Sequence, residues 1–191
     1  MSRVIAVDID EVLVPFLPAL GRFYTRKTNI KTKFPQKYSY HYAPLFNITE
    51  NESSELVREF YESSFHANLR PIKNSKEIIL NLSENNTIVA VTGRQSYARD
   101  PTEKLLENIF KDCISDIIYC DHFTDKSVSK GDVCKNINAQ LLIDDNKQAC
   151  LDCLSMSIPA INFVGSPVYP WCELSDISIP CWDMKYFKNY L

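Results

Sequence analysis

The chain has 191 residues, 45% of them hydrophobic, and a formal charge of −3. That length holds one α/β domain with an insertion and a sizeable core, and the mildly acidic balance carries no electrostatic footprint for nucleic acid or an anionic membrane surface. No apolar stretch reaches the roughly 18 residues of a membrane span, and Met1-Ser2 lead straight into an apolar run without a secretory leader, so a cytoplasmic site is expected.

In chain order, residues 4–9 form the first apolar run, and Val4-Ile5-Ala6-Val7 reads as a strand buried on both faces. Asp8 and Asp10 end it on one face, because side chains alternate along a strand. Two carboxylates so close repel unless a cation or a proton lies between them. Residues 15–71 are too long for one crossover and predict an inserted element. Leu17, Leu20, Phe23 and Tyr24 have the spacing of one helix. Thr49 with Glu52 boxes the start of another, which carries Leu56, Val57, Phe60 and Tyr61. Between them lies an aromatic loop at 34–46, with Phe34, Tyr38, Tyr40, His41, Tyr42 and Phe46 beside Pro35 and Pro44.

Ser75 is read as the cap of a helix bearing Ile78, Ile79 and Leu82, and the run at 88–92 as the second strand. Asp100-Pro101-Thr102-Glu103 predicts a helix start with Asp100 as cap, followed by the buried stripe Leu105, Leu106, Ile109 and Phe110. Runs at 116–120, 140–144 and 160–164 complete five strands. Helical spacing at 129–139 (Val133, Cys134, Ile137) and 147–156 (Ala149, Cys150, Cys153, Leu154) fills the gaps. The tail from Ser166 predicts a turn at Pro167 and Pro170, a short strand and a last helix near 182–190. Strands alternating with helices imply an α/β fold with a parallel sheet covered on both faces, and ligands in such sheets bind at the carboxyl ends of the strands.

The groups with chemistry fall at those ends. In VAVTGR, the Thr92 hydroxyl and the Gly93 N–H suit a phosphate oxygen, and Arg94 is within reach of one. Lys130 opens a helix, where the dipole disfavours a cation unless an anion is bound there. Asp144-Asp145 ends the fourth run. Asp8, the Asp10 carbonyl and one of this second pair make an all-oxygen site for a hard cation such as Mg²⁺. Singly, each group has a plainer reading as a surface charge or a strand-ending turn. The seven cysteines, Cys150-x-x-Cys153 included, read as reduced, buried small hydrophobes rather than a disulfide framework or a zinc site.

Taken in order, D-x-D, Thr, Lys and Asp-Asp resemble the four motifs of the haloacid dehalogenase superfamily of phosphohydrolases. DIDEVL resembles the first, VTGR the second, the lysine of SKGD the third and LIDDN the fourth, across residues 4–146. FHANLRPIKNSKEIILNL and LLIDDN are similar to the deoxyribonucleotide 5′-nucleotidase branch, and the YPW at Trp171 to eukaryotic relatives of it. The resemblance implies a Rossmann-like core at 1–14 and 72–191, with a small helical cap at 15–71. It also implies a Mg²⁺-dependent phosphomonoesterase for a small phosphorylated substrate, with a nucleoside monophosphate as one candidate, and neither nucleic acid nor membrane as partner. In that reading Asp8 is the nucleophile and Asp10 the acid–base. Thr92, Gly93, Arg94 and Lys130 hold the phosphate, and Asp8, Asp10, Asp145 and Asp144 serve the metal, with Asp145 as the preferred direct ligand. Tyr38, Tyr40, His41 and Tyr42 either stack on a substrate ring or pack the cap's own core. Two departures stand out. Glu11 replaces a glycine common in the family, and DxDE-x-L also occurs in a capless branch acting on polymerase tails, against which the insertion argues. A phosphatase of protein or nucleic-acid ends and a catalytically silent binding protein are the alternatives.

Overall fold

The computed structural model describes residues 2–31 and 41–188; Phe34, Pro35, Tyr38 and Tyr40 of the aromatic loop lie outside them. Six parallel strands form one sheet in the order β3-β2-β1-β4-β5-β6. They are β1 (Arg3–Val7), β2 (Asn86–Thr92), β3 (Asp116–Tyr119), β4 (Ala139–Asp144), β5 (Ala160–Phe163) and β6 (Ser178–Ile179). The helices are α1 (Phe16–Thr28), α2 (Tyr42–Phe46), α3 (Glu50–Glu62), α4 (Ser64–Ala67), α5 (Ser75–Ser83), α6 (Arg99–Phe110), α7 (Lys130–Asn136) and α8 (Lys147–Ser155). All five apolar runs are strands; β1, β2, β4 and β5 are buried along most of their length, as their mainly apolar character predicts, whereas β3 opens on the exposed Asp116.

Strand residues alternate between two cores. Ile5, Val7, Ile88, Ala90, Leu141 and Ile143 face one, which α5 and α6 close with Ile78, Ile79, Leu82, Leu105, Leu106 and Phe110. Ala6, Val89, Val91 and Leu142 face the other, closed by Val133 and Cys134 of α7 and Cys150 and Cys153 of α8. All seven cysteines are free thiols and five of them are buried. No helix among the described residues is long and apolar enough to cross a membrane.

The sheet grows outward from β1 in both directions, through β2 and β3 on one side and β4, β5 and β6 on the other. The reversal opens a crevice at the carboxyl ends of β1 and β4, where the Asp8 N–H donates to Ile143 O at 2.9 Å. The helices α1–α4, between β1 and β2, pack on one another through an aromatic cluster. Phe16 packs edge-on against Phe60 at 5.0 Å, and Phe23 against Phe60 and Phe65, each at 5.8 Å.

Local signals start α3 as read: Glu52 N–H donates to Thr49 Oγ1 and Thr49 N–H to Glu52 Oε2. Ser129 likewise caps α7 by accepting the Asp132 N–H at 3.0 Å. Three starts or ends differ from the sequence expectation. Ser75 is the first residue of α5 rather than its cap; Asn74 holds that place at φ 67°, and the Ser75 hydroxyl goes to Leu13 O instead. Helix α6 begins at Arg99, with Ala98 in the cap position, because a 3₁₀ turn at Ser96–Ala98 runs straight into it. Asp100 thus sits inside the first turn, where its charge still suits the dipole. The tail forms β6 and then a 3₁₀ turn at Met184–Tyr186 in place of a longer helix, after Trp182 and Phe187 have stacked in the core at 5.3 Å.

Candidate active site

After β1 the chain turns back on itself, with Leu13 N–H and Val14 N–H both donating to Ile9 O. Glu11 sits in this turn at φ 60°, a left-handed conformation that costs a side-chain-bearing residue about 1–2 kcal/mol. Its Oε1 accepts the Leu17 N–H at 2.7 Å, capping an α1 whose own cap residue, Pro15, offers no side-chain acceptor. A hydrogen bond to this buried carboxyl returns about 0.5–1.5 kcal/mol, which offsets part or all of the strain that glycine would avoid. Burial, then Asp10 and Asp145, hold the Glu11 carboxyl well above the usual range.

Lys130, the first residue of α7, is buried and bridges two strand ends. Its Nζ lies 2.7 Å from Asp8 Oδ1 and 2.6 Å from Asp144 Oδ2. These carboxylates are the anions that offset its unfavourable place at a helix N-terminus. Asp144 Oδ1 accepts the Asn146 N–H at 2.8 Å, and Asp145 Oδ2 accepts the Trp171 indole N–H at 2.8 Å. From β5, Asn162 Nδ2 donates to the carbonyls of both Asp144 (3.1 Å) and Asp145 (2.9 Å), clasping the turn that carries them. Asp8, Asp144 and Asp145 each offer an oxygen, and these three oxygens lie within 4.8 Å of one another. Burial pushes Asp8 up to about 7, and Asp145 also well up, while Asp144 and Asp8 hold the Lys130 ammonium well above its ordinary value against the opposing effect of burial. One lysine shared between two acids does not return what burial and mutual repulsion cost the three. The donor set is all oxygen and its charge is under-compensated, which suits a hard divalent cation.

Asp10 lines the same cavity but has a different partner. Arg94, itself buried, grips it from two sides, Nε to Oδ2 at 3.0 Å and Nη2 to Oδ1 at 2.7 Å. The remaining Arg94 nitrogen, Nη1, donates to Thr102 Oγ1 at 2.8 Å and to His66 Nε2 at 3.2 Å. Because arginine only donates, His66 Nε2 is the acceptor and the ring proton sits on Nδ1. Arg94, read from the sequence as reaching a phosphate, is thus committed to protein partners at every guanidinium nitrogen. Thr92 is fully buried and its Oγ1 accepts the Arg94 N–H at 3.2 Å. Gly93 lines the cavity under the His122 ring; a Cβ there would come within 2.8 Å of Nδ1, so any larger residue would have to displace that ring.

Burial, then Arg94, lower His66 to about 3. A folded value below the unfolded one contributes stability above about 6.5 that is lost as pH falls toward 3. His66→Gln keeps an acceptor for Arg94 and does not titrate. Its melting temperature is expected to fall less steeply than that of the wild type between pH 6.5 and 4, and parallel curves would refute the linkage.

Above these groups lies a cavity of about 630 Å³. Asp8, Asp145 and Lys130 form its floor, and Phe16, Tyr42, Val57 and Tyr61 of the insertion form its wall. At its mouth His41 meets Phe123 edge-on at 5.0 Å. Tyr42 and Phe46 pack on Phe16 and Tyr24 within the insertion. His66, Asn162 and the Trp171 contact have no counterpart in the sequence reading, where His66 and Trp171 figured only inside resembling stretches.

No protein-family model matches the chain, and no curated protein matches its sequence. Solved structures do. A haloacid dehalogenase-like family hydrolase from Streptococcus pneumoniae superposes with a TM-score of 0.64 at 11% identity, over 85% of this chain and 84% of that one. A subfamily IA hydrolase of the superfamily from Geobacter sulfurreducens gives 0.57 at 14% identity, over 85% and 87%. A hydrolase of the same family from Deinococcus radiodurans, solved with phosphate and sodium bound, gives 0.60 at 8% identity, over 90% and 85%. The chain therefore has the haloacid dehalogenase-like fold.

Proposed function

We propose that this protein is a Mg²⁺-dependent phosphomonoesterase that works through an aspartyl-phosphate on Asp8. The observation that carries the reading is the Lys130 bridge between Asp8 and Asp144, with Asp145 beside it, on the floor of the cavity. A carboxylate beside a buried ammonium is placed to attack an electron-poor centre, and phosphorus is the one that needs both cations and a nucleophile. The phosphate bound in the Deinococcus radiodurans relative of the same fold supports the choice of substrate.

Asp8 attacks phosphorus, and the bond to the leaving oxygen breaks; water then cleaves the aspartyl-phosphate to free Asp8 and inorganic phosphate. Asp10 protonates the leaving oxygen and later takes the proton of the attacking water. Lys130, the Gly93 N–H and the Thr92 hydroxyl stabilise the equatorial oxygens. Asp8 and Asp145, with Asp144 behind or sharing, would hold Mg²⁺, which when bound would neutralise charge between nucleophile and substrate. Residues 15–71 act as a cap that excludes water and selects a small phosphomonoester, a nucleoside monophosphate among the candidates. Hydrolysis of p-nitrophenyl phosphate and of a panel of metabolite phosphomonoesters tests this. Turnover that needs Mg²⁺ and stops in EDTA is expected; a silent panel, or turnover indifferent to EDTA, would overturn it.

A further inference from the structure

The segment after β5 runs back across the crevice. Gly165, at φ 76°, lets the Tyr169 ring lie against the backbone, where a Cβ would approach it to 2.5 Å. The Tyr169 N–H donates to Val164 O at 2.7 Å, closing the turn. From there the Tyr169 hydroxyl reaches over and donates to Glu11 O at 2.8 Å, tying the segment to the turn after β1. Trp171 stacks on Tyr169, with ring centroids 4.8 Å apart and planes 16° from parallel. Its indole N–H, a donor only, points at Asp145 Oδ2. Cys172 Sγ adds a contact to Asp145 O at 3.5 Å.

Asp145 needs such help. It stands one residue past the end of β4, so no ladder bond aims its side chain, and Asn162 holds only its carbonyl. The indole N–H fixes Asp145 Oδ2, and the carboxylate so held offers an oxygen within 4.8 Å of one each from Asp8 and Asp144. We propose that Trp171 is a positioning residue for the divalent-cation site, fixing the Asp145 carboxylate in the orientation that binds metal, with Tyr169 as the brace that aims it. The inference rests on the acidic floor being a metal site. It differs from a role in which the indole is merely a wall for substrate: the bond to Asp145 uses the edge of the ring, and Tyr169 covers one of its faces. Partners of this kind, one shell out from a metal, are worth about 10–100-fold in metal affinity.

The test is calorimetric titration of Mg²⁺ and Mn²⁺ into the metal-free protein without substrate, with the melting temperature of each metal-free variant alongside. Trp171→Phe keeps the stacked ring and removes the donor. It is expected to weaken metal binding by about 10-fold or more while the metal-free melting temperature moves little. Tyr169→Phe removes only the tie to Glu11 and is expected to weaken binding less, in the same direction; it carries the test should Trp171→Phe fail to fold. Wild-type affinity in Trp171→Phe, or in Tyr169→Phe where that variant stands in, overturns the proposal and leaves the metal site intact. No binding by the wild type, or undiminished binding by Asp145→Asn, removes the metal site itself and the proposal with it.

Discussion

Lys130→Met is expected to lower the stability of the metal-free protein by about 3–5 kcal/mol, measured by urea unfolding in EDTA at pH 8. The ammonium is nearly sealed from water, with its side chain 5% exposed, and it is the shared partner of Asp8 and Asp144 at 2.7 and 2.6 Å. Methionine fills much the same volume, so packing loss is small and the effect isolates the charge. Two buried carboxylates then face each other and Asp145 without a cation. The deficit also has a predictable pH dependence. Asp8 already titrates near 7 because of burial, and loss of the lysine raises it further. A raised carboxyl binds more protons folded than unfolded, so the variant regains stability as pH falls from 8 toward 5. Added Mg²⁺ is expected to recover part of the loss at pH 8 by taking the lysine's electrostatic place. A deficit under about 1 kcal/mol, the scale of an exposed ion pair, with no pH dependence, would mean that the three acids do not share one buried field.

Asp8→Asn is expected to reduce p-nitrophenyl phosphate hydrolysis by at least about 10⁴-fold, the scale seen when a covalent nucleophile is removed. The amide is nearly the same shape and leaves Lys130 its contact with Asp144, so the fold survives. What disappears is the charged oxygen that forms the bond to phosphorus. The initial-rate assay at saturating Mg²⁺ separates this from weakened metal binding, because excess cation restores occupancy and cannot restore the nucleophile. Activity within about tenfold of the wild type at saturating Mg²⁺ would move the nucleophile away from Asp8. The contrast with Lys130→Met is informative. Both variants should be poor catalysts, yet only the lysine variant should be markedly unstable, since asparagine removes one of three crowded acids whereas methionine removes their common counter-ion.

Much of this arrangement could be read along the chain, for reasons that are local. A parallel strand covered on both faces is mostly apolar, so five short, mainly apolar runs announced five strands; β6, two residues long, has too little length to do so. The reciprocal bonds of Thr49 and Glu52 lie three residues apart, and their pattern is written in four letters. Acids, threonine and lysine at strand ends and a helix start located Asp8, Thr92, Lys130, Asp144 and Asp145 before any coordinates. The topology, with β1 between β2 and β4, then brought Asp8, Lys130, Asp144 and Asp145 together.

Only the tertiary structure decided who pairs with whom. Asp10 and Arg94 are 84 residues apart, Arg94 and His66 28, and Asp145 and Trp171 26, and no periodicity links residues at such separations. Tertiary demands also overrode good local signals, as at Asp100, which yielded the cap position to Ala98 when the 3₁₀ turn fed α6 two residues early. The amino-acid order by itself determined the strands, most helices and the kinds of group gathered at the sheet's edge, because burial and capping act over a few residues. Orientation was settled by the folded molecule: Arg94 turned onto Asp10, and Trp171 turned onto Asp145. A charge or a donor chooses its partner by distance in space, and that distance exists only once the chain has closed around it.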